Sequence, residues 1–445
     1  MLARLNFSVV TTLQEQQSAA GDRRQARRVT LAVAAAGICS FALLYAPQPL
    51  LPQLAAEFGL DPGRASLSIG FATGALALAV LPIAALSEVI GRRPVIVTSV
   101  LASVALGVLL SFAPNYPVFL VLRVLQGVAI AGFPGVAAAY LTEQLGPPVS
   151  HHHPDGGATR RRSHPPVSHR HPDGGATRRR SHAIGVAAAV GAMIAGNTVG
   201  GMTGRLAAGF TTDLFGWRGA LGAVTGVALL CALLTVLLLP RSTRQRADNG
   251  ATSARGLVAG MGASLRAPVL LVQYSVALLA MGSFVALYNA AGFRLTGAPL
   301  ELSPAIAALV YLAYAMGAVS SGTAGRLVGR FGRVRSLVAA LLITVAGAAL
   351  TLPDSLPMVV AGFVVLTGGF FAAHAVANGW AAAEAPAQAR GQVSGMYTLA
   401  YYLGSSIGGT VGTAVYGHAG WGPLVAVTAC WLGLAGLGVL LFARR

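Results

Sequence analysis

The polar side chains that interrupt the apolar stretches of this sequence are its candidates for chemistry. His374 and Asn378 lie one helical turn apart in one stretch, and Arg123 precedes Gln126 by three residues in another. Histidine titrates near neutral pH, so His374 could take up and release a proton. A buried arginine could face a cavity and bind an anionic group or modulate a proton site, or it could extend to the membrane surface. Both interpretations are open for Arg123.

Amide and hydroxyl side chains form a second set of candidates. Gln48 and Asn289 are separated by 241 residues, and Tyr45 lies shortly before Gln48. Such side chains bind a solute where they face a cavity, and otherwise they form hydrogen bonds between helices. Both interpretations are open for Gln48 and Asn289, and also for His374 and Asn378. Arg205 lies near the end of its apolar stretch, and we expect its side chain to extend outward to the membrane surface.

The sequence offers no set of residues for enzymatic catalysis. No acidic residue lies centrally in an apolar stretch, and all 31 basic residues are arginine. Without lysine, neither a Gly-x-x-x-x-Gly-Lys phosphate loop nor a Schiff base can form. The three cysteines are isolated, which excludes zinc spacing. We expect no enzyme activity, no metal and no cofactor. The alternative from another class, a polytopic membrane enzyme, would require a nucleophile–base pair or a metal cluster in the spans.

Composition identifies the elements that must position these residues. Apolar residues make up 55% of the 445-residue chain and charged residues 10%, whereas a soluble protein carries roughly 25% charge. A helix needs about 20 apolar residues to cross a bilayer, and the sequence predicts an all-α protein with twelve such spans. We expect them near 30–52, 66–87, 94–113, 117–141, 184–209, 219–239, 268–292, 304–325, 336–352, 357–381, 391–415 and 421–442.

The arginines predict the orientation of these spans. Loops and termini on one side hold 26 arginines, whereas the opposite loops hold three, Arg64, Arg218 and Arg294. The rich side is expected to be cytoplasmic, so both termini lie inside a multi-pass inner-membrane protein. The net charge of +18 is interpreted as contact with anionic lipid rather than with nucleic acid.

The chain also contains an internal duplication. The pattern Leu86-x-x-x-x-Gly91-Arg92 recurs as Leu327-x-x-x-x-Gly332-Arg333, and the glycine-rich face 196–204 recurs at 404–412. The duplication predicts two six-helix parallel repeats. We divide the chain into an N-terminal tail (1–29), an N-terminal bundle (30–240), a central cytoplasmic linker (241–266) and a C-terminal bundle (267–445).

A tandem repeat accounts for the greater length of the first half. Residues 147–164 and 165–182 are the same 18-residue unit, rich in histidine and arginine, with one difference. Its composition is typical of a disordered cytoplasmic insertion. Metal binding by the histidines and contact of the arginines with anionic lipid or nucleic acid are the alternatives, and we assign the segment no role in transport.

The segment 84–95 resembles the loop between spans two and three of the major facilitator superfamily. It has Glu88, Gly91, Arg92 and Arg93 in the family's order, although Ala84 replaces the initial glycine and glutamate replaces the aspartate. The second half keeps Gly332 and Arg333 but has Gly329 where the acid would be. The Tyr45–Pro52 segment resembles span one of bacterial drug and sugar efflux members. The resemblance covers nearly the whole chain outside 1–25 and 147–182.

This resemblance implies a monomeric secondary transporter. It would carry a small organic solute, a drug, a sugar or a metabolite, by alternating access of two bundles, with protons as the coupling ion. A uniporter or a metabolite importer is the alternative within transport. Glu88 would hold the cytoplasmic side shut against a helix that begins near Gly391. Tyr45, Gln48, Arg123, Gln126, Asn289, His374 and Asn378 are the candidate substrate and coupling residues.

Overall fold

The fold is known here from a computed structural model, which describes residues 2–145, 173–240, 262, 264–386 and 389–442. These residues are helical and contain no β-strand. Ten helices are long and apolar enough to cross a membrane. One of the ten, Ala188–Leu238, holds two spans that meet at Gly216, and span eleven is divided by a π-helical turn. The described part of the chain therefore has the twelve spans that the sequence predicts.

The helices follow one another with short connections. They are Leu2–Tyr45 (span one) with the short helix Leu51–Phe58, Pro62–Ile90 (two), Arg92–Ser111 (three), Tyr116–Ala131 and Pro134–Leu145 (four), Asp173–Leu238 (five and six), Pro268–Thr296 (seven), Pro304–Phe331 (eight), Arg333–Leu350 (nine), Leu356–Glu384 (ten), Arg390–Leu403 and Gly409–Ala419 (eleven), and Trp421–Phe442 (twelve). We call spans one to six the N half, spans seven to twelve the C half, and the arginine-rich side the inner side.

Side-chain caps and prolines determine where several spans begin. The Ser303 side chain accepts a hydrogen bond from the Ile306 amide, directly before Pro304 at the first helical position. Asp61 and Asn115 cap spans two and four in the same way. Each cap satisfies an amide that the first turn leaves unpaired. The predicted start of span eight at residue 304 is confirmed.

The ends of span one differ from the prediction. The helix ends at Tyr45 rather than near residue 52, and a turn leads into the short helix Leu51–Phe58. Pro47 and Pro49 explain the break, because proline lacks an amide hydrogen and restricts the residue before it. At its other end the helix begins at Leu2, although only Arg24–Tyr45 has the composition of a membrane span.

The helix of span five begins earlier than predicted. It starts at Asp173, so residues 173–182 of the tandem repeat are helical, where we expected no secondary structure. The last proline of the repeat is Pro172, and the residues after it permit a helix. The rest of the repeat and most of the predicted linker lie outside the described residues.

Glycines bring two pairs of helices into backbone contact. A Cβ atom placed on Gly200 would lie 2.5 Å from the Cα atom of Ile38 in span one, and one on Gly408 would lie 2.5 Å from the Cα atom of Gly282 in span seven. The neighbouring glycines of each face make equally close contacts: Gly196 with Ala34, Gly204 with Ala42, Gly404 with Leu278 and Gly412 with Ala286. Only glycine permits this approach. The glycine-rich face 196–204 of span five therefore packs against span one.

The two halves meet mainly between the middle of the membrane and its outer side. Span two packs along span eleven, and span five packs against the outer part of span eight. A Cβ atom on Gly63 would lie 2.8 Å from the Cβ atom of Ala414, near the outer ends of spans two and eleven. The contact between these two spans continues inward as far as Leu81 and Gly395.

Candidate functional site

A cluster of polar and aromatic side chains lies at the interface of the two halves, with Arg205 at its centre. Arg205 is 2% exposed. The outer end of span five is the kink at Gly216. At ~1.5 Å per residue, Arg205 lies about 16 Å from that end. This depth is close to the middle of a hydrocarbon core about 30 Å thick. We expected the side chain to extend to the surface; it instead turns inward, because Gly201, one turn away, leaves room beside span one.

Hydrogen bonds connect Arg205 across the interface. Its Nε donates to Gln48 Oε1 at 2.5 Å, and its Nη1 donates to the Gly201 carbonyl at 2.7 Å. Gln48 Nε2 donates in turn to Asn289 Oδ1 of span seven at 2.7 Å. Gln48 and Asn289, the pair related by the 241-residue repeat, are thus in direct contact. They join the N half to the C half.

Three tyrosine rings surround the guanidinium. Its central carbon lies 4.1 Å from the ring centroid of Tyr45, 4.5 Å from that of Tyr314 and 5.4 Å from that of Tyr311. These distances are within the range of cation–π attraction. Tyr45 belongs to the N half and the other two belong to span eight, so the charge is enclosed by rings from both halves.

Arg123 occupies a different environment. It is fully buried and bonded to backbone carbonyls of neighbouring spans: Nε to Ser68 at 2.7 Å, Nη1 to Leu43 at 3.2 Å and Nη2 to Leu44 at 2.6 Å. Its Nη1 also donates to Gln126 Oε1, whose Nε2 donates to the Ser103 carbonyl. These bonds link spans one to four, all within the N half. The geometry supports a packing role for Arg123 and Gln126.

His374 lies between spans ten and eleven of the C half. The Tyr397 hydroxyl is 3.1 Å from His374 Nδ1 and 3.2 Å from the carbonyl of the same residue. The rings of Tyr401 and Phe370 lie 4.7 Å and 6.2 Å from the imidazole. The residue is partly exposed, and Asn378, one turn further inward, is exposed. The structure therefore places this pair in the inner part of the protein, apart from the Arg205 cluster.

An aromatic layer connects these two regions. Phe284 of span seven stacks on Phe370 with ring centroids 4.0 Å apart, and it contacts Tyr314 at 5.5 Å. Phe370 contacts His374 on its other side. A continuous series of rings thus runs from the tyrosines around Arg205 to the imidazole, along the C half.

The gating motifs take the same shape in both halves. Gly91 and Gly332 have φ angles of +96° and +78°, which glycine adopts without the strain a side chain would cause. Arg92 then reaches Glu143 at 2.9 Å, and Arg333 reaches Glu384 at 2.8 Å. Each ion pair fastens the start of the third helix of a half to the inner end of the fourth. The 241-residue repeat is therefore visible in these contacts.

Two residues of the first motif have no counterpart in the second. Arg93 Nε donates to the Leu239 carbonyl at the inner end of span six, at 3.0 Å. Glu88 is exposed, and no hydrogen bond or ion pair of its side chain occurs within the described residues.

The sequence did not indicate Arg205, Tyr311 or Tyr314 as site residues. A signal for Arg205 existed, since it follows Gly201 by one helical turn and adjoins the glycine face of span five. A charge placed there cannot face lipid while that face packs against a helix. The two tyrosines gave no signal, because aromatic residues in an apolar stretch are common in any span.

Comparison with known proteins assigns the family. The sequence model of the Major Facilitator Superfamily matches residues 33–150, 178–322 and 289–445. The chain belongs to this superfamily. Its relatives include the inner membrane transport protein YnfM of Escherichia coli, 36% identical over 361 residues that cover 81% of this chain and 78% of the relative. The MFS-type transporter YybF of Bacillus subtilis is 32% identical and covers 81% and 80%.

Solved structures share the fold. A bacterial homologue of the human lysosomal transporter Spinster, in an inward-facing and unoccupied conformation, aligns with a TM-score of 0.70 at 17% identity, covering 94% of this chain and 97% of that one. The all-α architecture of two six-helix halves is thereby confirmed. The chain is a multi-pass membrane protein of a transporter superfamily.

Proposed function

We propose that this protein is a secondary active transporter that exports a small organic solute by alternating access, coupled to protons. The observation that carries the proposal is the position of the bonds between the halves. Gln48 bonds to Asn289, Ser406 Oγ donates to the Gly70 carbonyl at 2.7 Å, and the Ala305 amide donates to Asp213 at 3.3 Å. All three bonds lie between the middle of the membrane and its outer side.

A carrier must be able to break and remake such contacts. Among the described residues the hydrogen bonds between the halves are few, and most of the residues that make them lie on or beside spans one, five, seven and eleven, which pack in pairs through the glycine faces. Parting of the halves on the outer side would break these three bonds and the contacts of Arg205 with span eight. Closure on the inner side would then form new contacts between the halves in place of the broken ones. This exchange is the alternating access of two parallel repeats.

The inner side offers Glu88 for that closure. Its carboxylate can bind the amides at the start of span eleven, near Gly391, because a helix N-terminus carries a partial positive charge. Gly91, Arg92 and Arg93 would hold the motif in position, as Gly332 and Arg333 do in the other half. In the second half Gly329 replaces the acid, so the proposed lock is single.

His374 is the proposed coupling residue. In the described spans no aspartate or glutamate is buried, which leaves histidine as the residue type there whose free side chain titrates near neutral pH. Its partial exposure on the inner half of span ten permits exchange of a proton with the inner side. The alternative is a uniporter or an importer, in which the imidazole only contributes hydrogen bonds.

The proposed setting is the bacterial inner membrane, with both termini in the cytoplasm and the chain active as a monomer. The arginine asymmetry supports the orientation. The E. coli relative, an inner membrane transport protein, supports the location.

Transport by reconstituted protein tests the proposal. A growth-inhibition panel that compares a deletion strain with an overexpressing strain identifies the solute as the compound whose toxicity changes in opposite directions. Counterflow of that solute in proteoliposomes is expected from a carrier, whereas a channel or an enzyme gives none. An imposed pH difference should drive accumulation by the wild type but not by His374→Gln, which should retain counterflow. Accumulation by the variant would remove His374 as the coupling site, and no pH response in the wild type would favour the uniporter.

A further inference from the structure

The charge of Arg205 has no counter-ion in the part of the chain that the structure describes. The ion pairs there involve other arginines, at the ends of the spans, and the acceptors of Arg205 are a glutamine oxygen and a backbone carbonyl. Those two bonds use two of the five N–H groups of the guanidinium. A buried charge without a partner is costly, and ring faces compensate for it only in part.

The direction of the hydrogen bonds is fixed by the arginine. A guanidinium only donates, so the oxygen of Gln48 must face it, and the amide nitrogen of Gln48 must face Asn289. That nitrogen donates to Asn289 Oδ1, and the other end of the amide, Asn289 Nδ2, lies beside Gly409 of span eleven. Asn289 is 1% exposed, and its Nδ2 has no acceptor within the described residues. The chain of bonds therefore ends in a buried donor that is unused.

A second unused donor faces the same interface from span eight. Tyr311 is 2% exposed, its ring lies over the guanidinium, and its hydroxyl has no partner among the described residues. A small crevice between the halves, lined by Pro49, Gly292, Thr296 and Tyr311 among others, adjoins the cluster on the outer side. The cluster thus combines a positive charge with unused donors from both halves, and no acid is near.

We propose that Arg205, Asn289 and Tyr311 form the binding subsite for a carboxylate, and that the transported solute is a small organic anion. The carboxylate would accept from the free N–H groups of Arg205 on the N half and from Asn289 Nδ2 and the Tyr311 hydroxyl on the C half. It would enter when the halves part, since the guanidinium then loses the rings of span eight and needs a counter-charge. The proposal rests on the transport function proposed above, and it names the class of solute.

The composition of the interface argues against a cationic solute. A carboxylate is the usual partner of a cation bound in the membrane, and no described acidic side chain is buried. The nearest interfacial charge is the positive one of Arg205, which would repel a cation. The tyrosine rings favour a compact body that can lie against them.

Pairs of probes that differ only in charge test the proposal. Affinities of the full-length protein in lipid nanodiscs are measured for benzoate and benzamide, lactate and lactamide, and hexanoate and hexanamide. We expect at least one carboxylate to bind about tenfold or more tightly than its amide, the size of effect of one charge-assisted bond. Arg205→Gln should remove that preference. Arg64→Gln, whose side chain is 70% exposed in the first turn of span two at its outer end, is the matched control and should keep it.

A second variant guards against a folding defect in Arg205→Gln. Asn289→Asp retains the guanidinium and places a carboxylate within the cluster, so it should fold and yet lose the preference for the carboxylate probe about tenfold. A wild type that prefers no carboxylate in the panel, or a preference that survives in both variants, would overturn the proposal.

The two proposals fail in different ways. If the protein binds a carboxylate but exchanges no solute across proteoliposomes, the transport function falls and the subsite stands. If it exchanges a neutral or cationic solute at a rate that Arg205→Gln leaves unchanged, the transport function stands and the anion subsite falls.

Discussion

Two arginines are fully buried in the described membrane spans, and their surroundings separate their roles. Arg123 donates to carbonyls of spans one and two and to Gln126, so its charge is satisfied inside the N half. Arg205 lies between the halves, where rings and one glutamine contact it. In the proposed transport cycle, Arg123 is bound to helices that move together, and Arg205 is bound to helices that separate.

The Arg123 interpretation predicts a loss of stability. Arg123→Gln leaves the carbonyls of Leu43 and Leu44, at the end of the span-one helix, buried without a donor, which should cost about 3 kcal/mol or more. Arg123→Lys should cost a similar amount, because one ammonium cannot reach all three carbonyls. The measurement is the melting temperature of the detergent-solubilised protein, with Arg64→Gln as a control that should change little. A stable Arg123→Gln protein that has lost transport would instead assign Arg123 to the solute.

The proposed lock at Glu88 gives a prediction about conformational balance. Glu88→Gln keeps the shape of the side chain and removes the charge, so the inner side should close less readily by about 1–3 kcal/mol. The labelling rate of an Asn378→Cys reporter, on the exposed inner part of span ten, should rise with the population of molecules that are open on the inner side. The reporter is combined with Glu301→Gln, an acid of an outer loop, as the control. An unchanged rate would make Glu88 an ordinary loop acid.

The helices hold these residues through glycine contacts that can be altered one at a time. Gly200→Ala places a methyl group 2.5 Å from the Ile38 Cα atom, so spans one and five must move apart. We expect a loss of about 1–3 kcal/mol, typical of overpacking.

A matched control lies on the same helix. Gly191 has no atom within 4 Å of a Cβ placed on it, so Gly191→Ala should leave stability unchanged or raise it by up to about 1 kcal/mol. Thermal unfolding of the two variants measures the difference. Equal effects in both would mean that the close contact between spans one and five is not what restricts residue 200.

Sequence patterns predicted the elements better than their contacts. Hydropathy located all twelve spans, because a bilayer requires long apolar helices, and Ser303-Pro304 located a helix start, because the cap is local. The break after Tyr45 also had a local cause, Pro47 and Pro49. These prolines lie within a continuous apolar stretch, so hydropathy predicted a single span over 30–52.

The site could be predicted only in part, since it depends on which helices meet. Gln48 and Asn289 were identified by their equivalent positions, and they do contact each other. Arg205 was assigned to the surface because the predicted span ended at residue 209, whereas the helix continues to Gly216 and places Arg205 near the middle of the membrane. Its partners Tyr311 and Tyr314 lie near a 3₁₀ segment, Leu309–Ala313, which turns span eight locally and which the sequence did not indicate.

At the scale of the whole molecule, the orientation in the membrane is a prediction of its own. The inner ends of spans eight and nine meet at Phe331, which is 48% exposed, and Asp354 lies in the loop after span nine. In a protein whose native cysteines are replaced, Phe331→Cys should be labelled by an impermeant reagent only from the cytoplasm, and Asp354→Cys only from outside. Labelling of residue 331 on intact spheroplasts would reverse the assignment.

The central claim is that the two halves part on the outer side during each transport cycle. Gly417→Cys and Pro62→Cys place one thiol at the outer end of span eleven and one at the outer end of span two, where the Cβ–Cβ distance of 3.5 Å is within the range of a disulfide. With Cys39, Cys231 and Cys430 replaced, oxidation should cross-link the halves and stop counterflow of the solute in proteoliposomes, and reduction should restore it. Each single-cysteine protein, oxidised in the same way, should keep its rate. A cross-linked protein that exchanges solute as fast as the reduced one would contradict the account.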